Sequence, residues 1–192
     1  HAEIIDVPVN LVAKMPEGLN FELASTVTLG AIAMQGVRRT VPSLGETIVV
    51  VGLGILGQIT VQLLTANGCR VIGVDIDQDR VDTALENGMQ YGVNPENENY
   101  IARAHLLTDN FGADAVIVTA ASKNNEIISD AMQACRKKGR VVLVGDVGLD
   151  IKREDFYAKE LDFFISTSYG PGRYDPVYEQ GGQDYPLPYV RW

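Results

Sequence analysis

The chain has 192 residues, 46% hydrophobic and 21% charged, which is enough apolar material for one well-packed core. With 16 basic and 25 acidic residues the net charge is −9, which argues against non-specific nucleic-acid binding, a property that needs a basic face. No apolar run reaches the roughly 18 residues a membrane span needs, and Cys69, Cys135, His1 and His105 lack the paired spacing and the number of donors a zinc site requires.

These features predict a cytoplasmic chain with reduced thiols, no bound metal, no membrane segment and no nucleic-acid partner. His1 in place of Met, with Glu3 and Asp6 where a basic leader would lie, predicts no signal peptide and a piece of a longer protein. Residues 1–19 hold two short apolar runs, Glu3–Pro8 and Leu11–Pro16, that read as strands. With no partner strands nearby in sequence, they fit either the tail of a β domain or a covering arm. Residues 20–40 read as one helix, N-capped by Asn20, with a stripe of Leu23, Val27, Ala31 and Met34 and with Arg38 and Arg39 at the negative end of its dipole. Pro42 and Gly45 stop it.

Ile48–Val51 then runs directly into Gly52, Gly54 and Gly57. A continuous β-branched run bounded by glycine reads as a strand buried on both faces. Leu56, Ile59, Thr60 and Leu63 follow at helical spacing, so the glycines occupy a strand-to-helix turn. In that context Gly-x-Gly-x-x-Gly, here Gly52-Leu53-Gly54-Ile55-Leu56-Gly57, marks a dinucleotide site. Gly52 allows the tight turn, Gly54 lets backbone approach a pyrophosphate, and Gly57 lets helix lie close on strand. The motif alone is weak, because a plain strand–turn–helix corner carries glycines too.

Arg70–Asp75 reads as a second strand, followed by a helix ending at Gly88, a short strand over 91–95 and a helix over 96–110. Asp114–Thr119 is a fourth strand, Ile127–Cys135 marks a helix, Arg140–Gly145 is a fifth strand, 152–159 a short helix and Leu161–Thr167 a sixth strand. Strands alternating with helices imply parallel βαβ units. Six of them predict a three-layer, doubly wound α/β sheet of order 3-2-1-4-5-6, a Rossmann fold over 20–167. Residues 168–192 hold glycine, proline and aromatics, including Tyr169, Tyr174, Tyr178, Tyr185, Tyr189 and Trp192, without any period. This tail reads as loop or extended chain, packed either on the domain or along a substrate cleft.

Asp75 completes the motif. It ends strand two, 18 residues beyond Gly57, where an acid accepts hydrogen bonds from an adenosine ribose. A 2′-phosphate would meet a like charge there, so NAD is expected over NADP. Ile76 flanks it, and Arg80 either leans over the adenine or stays in solvent. Thr119, Ala120 and Ala121 end strand four. Val144, Gly145 and Asp146 end strand five, at the carboxyl edge that ligands cross. These small residues leave room for the nicotinamide end. Asp146 either binds a ribose hydroxyl or caps the next turn.

The glycine motif, Asp75, the stretch Asn10-Leu-Val-Ala-Lys-Met-Pro-Glu-Gly and Ala33-Met-Gln-Gly-Val-Arg-Arg together resemble the medium-chain dehydrogenase/reductase family of zinc alcohol and polyol dehydrogenases. The resemblance runs over about residues 1–168. It implies an oxidoreductase that passes a hydride between an alcohol or carbonyl substrate and NAD, with residues 1–19 as the last strands of a GroES-like catalytic domain. It also implies substrate-activating groups outside this chain, so that the chain binds NAD without turning over, and a homodimer paired through the apolar edge strand 161–167. Zinc-dependent members place a cysteine at or next to Thr28. No cysteine stands on this helix, so a non-zinc member is expected. Tyr169-Gly-Pro-Gly-Arg-Tyr-Asp175 resembles the tail of large two-module oxidoreductases. A redox-sensing NAD-binding module and an S-adenosylmethionine-dependent methyltransferase are the rival readings; the third glycine favours a dinucleotide over the latter.

Overall fold

β1 (Thr47–Val51) is buried along its whole length, as a β-branched run between two helical layers must be. Around it a computed structural model, describing residues 2–190 with side chains to 188, builds a six-stranded parallel sheet. The strands besides β1 are β2 (Arg70–Val74), β3 (Tyr91–Val93), β4 (Ala113–Val118), β6 (Cys135–Leu143) and β8 (Asp162–Ile165). Their order is β3-β2-β1-β4-β6-β8, the expected 3-2-1-4-5-6 once the main-sheet strands alone are counted. The extra numbers belong to β5 (Ala121–Ser122) and β7 (Asp146–Val147), a parallel pair in a separate small sheet, so that Ala121 and Asp146, expected at the ends of strands four and five, belong to this pair instead. Two-residue strands carry no period to detect.

Successive side chains of each strand feed opposite layers. Val49, Val116, Val118 and Val141 pack with Tyr100, Ile128 and Met132 from α5 (Tyr100–Leu106) and α6 (Glu126–Ala134). On the other face Ile48, Val50, Ile117 and Val142 meet α2 (Val27–Thr40), α3 (Ile55–Ala66) and α4 (Gln78–Glu86) through Val37, Val61, Leu64 and Val81. Truncating a fully buried residue of this kind, such as Ile117, costs about 2–5 kcal/mol.

Several expectations are corrected. Residues 2–20 hold no strand: a 3-10 turn at Val9–Leu11 interrupts irregular chain, and neither apolar run has a strand to pair with. The helix over 20–40 is broken into α1 (Phe21–Ala24) and α2, because the Ser25 and Thr26 hydroxyls donate back to the carbonyls of Glu22 and Leu23. Asn20 does cap α1, accepting from Leu23 N at 2.8 Å.

The buried face of α2 is Ala33, Gly36, Val37 and Thr40, whereas Leu23, Val27 and Met34 of the predicted stripe are exposed. Close docking on the sheet selects small residues, and a Cβ on Gly36 would come within 2.6 Å of Val144. α5 is shorter than predicted. Asn99 caps its start, and the left-handed Asp109 and Asn110 follow its end. The short helix expected over 152–159 is α7 (Arg153–Tyr157), and the tail is not all loop: Asp175 caps α8 (Pro176–Glu179), and Leu187–Val190 forms α9. His1, the Tyr189 side chain and Trp192 lie outside the described residues.

Candidate cofactor site

Gly52 leaves β1 with φ +94°, a conformation glycine adopts at little cost, and a Cβ there would sit 2.6 Å from Ala120 N. A Cβ on Gly57 would lie 1.9 Å from the Gly52 carbonyl oxygen, so Gly57 lets α3 close onto the turn itself. Gly54 differs from both. It is the N-cap of α3, no side chain caps that end, and a Cβ would meet nothing within 4 Å. The first-turn N–H groups of a 12-residue helix therefore face open space beside a residue without a side chain.

Asp75 is buried at the end of β2. One carboxylate oxygen accepts from Leu53 N at 2.6 Å and the other from Asp77 N at 2.9 Å. The residue expected to face a ribose thus also ties the glycine turn to the neighbouring strand. Arg80 is exposed to solvent and faces two carboxylates. Its Nε is 3.2 Å from Asp77 Oδ2 and its Nη1 3.7 Å from Asp75 Oδ2. Ile76 is exposed beside them. Gln58 was not singled out in the sequence. Its side-chain amide donates to the carbonyls of Leu53 (3.1 Å) and Arg80 (2.8 Å), joining the turn to α4. Its position directly after Gly57 is the one signal that pointed to it.

The other expected residues meet at the same edge. Thr119 and Ala120 both donate backbone N–H to the Val51 carbonyl, and the Thr119 hydroxyl donates to the Gly52 carbonyl. Val144 and Gly145 donate to the Val118 carbonyl, both at 2.9 Å. A Cβ on Gly145 would stand 2.0 Å from the Ala120 oxygen. Leu53 is buried under the turn, Ile55 is exposed, and Leu56 is half-buried on α3. Ala121 pairs with Asp146 through the small β5–β7 sheet, leaving the Asp146 side chain exposed. That sheet borders an open basin of about 500 Å³ that reaches Lys123.

The two thiols are no nucleophiles: burial pushes Cys135 up to about 12 and raises Cys69 as well. Among the described residues no group of three or more His, Cys, Asp or Glu side chains is arranged to hold a metal ion, and Thr28 stands exposed on α2. Among the described residues the donors do not fit zinc. A dinucleotide does fit, because the open space at Gly54 and the uncapped end of α3 form a cradle for a pyrophosphate. No helix among the described residues is long and apolar enough to cross a membrane.

Sheet, turn and edge define a Rossmann domain of the cofactor-binding kind. The family model described as zinc-binding dehydrogenase matches residues 56–180. The chain is 30% identical over 146 residues to an alcohol dehydrogenase of Geobacillus stearothermophilus, covering 76% of this chain and 42% of that protein. It is 36% identical over 122 residues to D-guloside 3-dehydrogenase of Escherichia coli K12, covering 63% and 33%. A zinc-binding dehydrogenase of Sinorhizobium meliloti 1021, solved bound to NADP, superposes with a TM-score of 0.74 at 23% identity, covering 89% of this chain and 52% of that one.

The chain belongs to the zinc-binding dehydrogenase family of medium-chain dehydrogenases/reductases and corresponds to its cofactor-binding region. It spans less than half the length of the curated relatives it matches.

Proposed function

We propose that this chain binds NAD and holds it for hydride transfer between the carbinol or carbonyl carbon of a small substrate and nicotinamide C4. The observation that carries the reading is Asp75, held at the end of β2 against the Leu53 N–H, next to the open approach at Gly54. The α3 N-terminus and the turn N–H groups take the pyrophosphate, and Asp75 takes the adenosine ribose. Thr119, Ala120, Val144 and Gly145 leave room for the nicotinamide end. When bound, the cofactor supplies the redox chemistry, and these residues bind and orient it.

Asp75 favours NAD. A carboxylate about 4 Å from a 2′-phosphate costs about 4 kcal/mol per charge pair at an effective dielectric near 20, roughly three decades of affinity. The partly exposed Arg80 beside it reduces this. Titration calorimetry is expected to give NAD the tighter binding, and equal affinity for NADP would sink the assignment.

In this reading the groups that polarise a substrate oxygen come from outside residues 1–192. The chain alone is therefore expected to bind NAD without producing NADH from alcohols, a point that an absorbance assay on residues 1–192 decides. β8 ends the sheet, with Ile165 exposed next to half-buried Phe163 and Phe164. An open apolar edge of this kind supports a homodimer paired strand to strand, and light scattering that reports a monomer removes it.

A further inference from the structure

Two consecutive peptide groups make the bend between β1 and α3, and three side chains hold them. The Gly52–Leu53 peptide is held at both ends. Its carbonyl accepts from the Thr119 hydroxyl at 2.5 Å, and its N–H donates to Asp75 Oδ2 at 2.6 Å. The Leu53–Gly54 peptide is held at its carbonyl, which accepts from Gln58 Nε2 at 3.1 Å. Among the described residues its N–H, that of Gly54, donates to no acceptor. No peptide bond of the described residues is cis, so the Gly54 N–H points opposite to the carbonyl that Gln58 grips. It therefore faces away from the Gln58 amide and adds to the free first-turn N–H groups of α3.

The grip follows from local structure. Gln58 is the fourth residue of α3, and helical side chains lean toward the N-terminus, so its amide reaches back over the turn. The same Nε2 donates to the Arg80 carbonyl in the first turn of α4 at 2.8 Å. Only the NH2 end of the amide can donate to two carbonyls, which fixes the way the amide points. Gln58 Oε1 is left buried with no partner. A methionine would fill the same space without stranding an acceptor, so packing alone does not select glutamine here. Without the grip the Leu53–Gly54 peptide is free to flip, because glycine accepts either sign of φ. A flip would aim a carbonyl oxygen where the Gly54 N–H now stands, and that oxygen repels an anion.

We propose that Gln58 is a positioning residue for an anion at the start of α3: it holds the Leu53–Gly54 peptide in the orientation that donates the Gly54 N–H to a pyrophosphate oxygen. That the pyrophosphate belongs to a dinucleotide rests on the reading above. The grip on the peptide does not.

Two uncharged variants of the 192-residue chain, Gln58→Met and Gln58→Leu, test it. Both keep a good helix former at this position, and both are expected to melt like the parent. Calorimetry with NAD and ADP, and saturation-transfer NMR with adenosine, separate the pyrophosphate from the nucleoside. Each substitution should weaken NAD and ADP about tenfold and leave adenosine binding as in the parent. A purely structural loosening of α4, which carries Arg80 beside Asp75, would weaken adenosine as much. In the isotope-labelled parent, inorganic pyrophosphate should shift the Gly54 amide proton downfield, and Gln58→Met should abolish that shift. Undiminished ADP affinity in both variants, or equal loss of ADP and adenosine, overturns the positioning role, while NAD binding by the parent keeps the cofactor reading. A parent in which pyrophosphate leaves the Gly54 amide unmoved also overturns it. A Gly54 shift that Gln58→Met abolishes, in a parent that binds neither NAD nor adenosine, supports the grip and overturns the dinucleotide reading instead.

Discussion

At the carboxyl edge of the sheet two differently built regions lie side by side. In the first, the ends of β1, β4 and β6 are laced by backbone hydrogen bonds, and glycines are pressed against backbone. A Cβ on Gly52, Gly57 or Gly145 would lie 1.9 to 2.6 Å from a backbone atom. In the second, the arm and tail touch through tyrosine rings, the Asn10–Tyr178 bond and the Tyr169–Arg173–Glu179 cluster. Among the described residues, no strand and no buried apolar cluster joins that second region to the sheet. Backbone wedged against backbone cannot yield, so the first region tolerates one shape. Side-chain contacts near the surface repack, so the second is lost more easily.

The comparison breaks hardest at Gly57. Gly57→Val drives a side chain into the Gly52 carbonyl, and urea denaturation is expected to show about 3 kcal/mol of lost stability together with lost NAD binding. A variant that melts like the parent would mean that α3 is not wedged. Gly54→Val sharpens the same contrast from within the motif. Its φ of −65° suits any residue and its surroundings are open, so stability should change by less than about 1 kcal/mol. NAD affinity should nonetheless fall at least about tenfold, and undiminished affinity in calorimetry would show that the pyrophosphate does not pass there.

The smallest effect belongs to the tail. The Tyr169 hydroxyl, and then Arg173, hold the Glu179 carboxyl below its usual range. A folded-state value below the unfolded one gives stability that is present above the ordinary carboxylate range and lost as pH falls through the lower, folded value. Near-ultraviolet circular dichroism of the tail tyrosines should therefore decline in acid before the sheet melts. Glu179→Gln should flatten that dependence, and an unchanged acid profile in the variant would assign the transition to another group.

The difference between the regions also explains which parts were legible in the sequence. Strand runs such as Ile48–Val51 and Ala115–Val118 are hydrophobic on consecutive residues because both faces are covered, and that pattern needs no knowledge of neighbours. The glycine turn is local for the same reason, since each glycine answers to chain close by. Asp75 was found by its spacing, although its bond to Leu53 N was not, because that bond joins two strands. The buried face of α2 was misread. A stripe of large apolar residues looks like a core face, yet contact with Val144 required Gly36, so Leu23, Val27 and Met34 are left exposed instead.

The sequence by itself determined the parallel sheet, the order of its strands and the position of the phosphate-type turn. These follow from burial on two faces and from backbone freedom at single residues. Only the tertiary structure decided that residues 2–20 form no strands, that β5 and β7 pair, and that Tyr178 of the tail meets Asn10 of the arm. Pairing and packing of that kind depend on which segments meet in space, and no local period encodes the meeting.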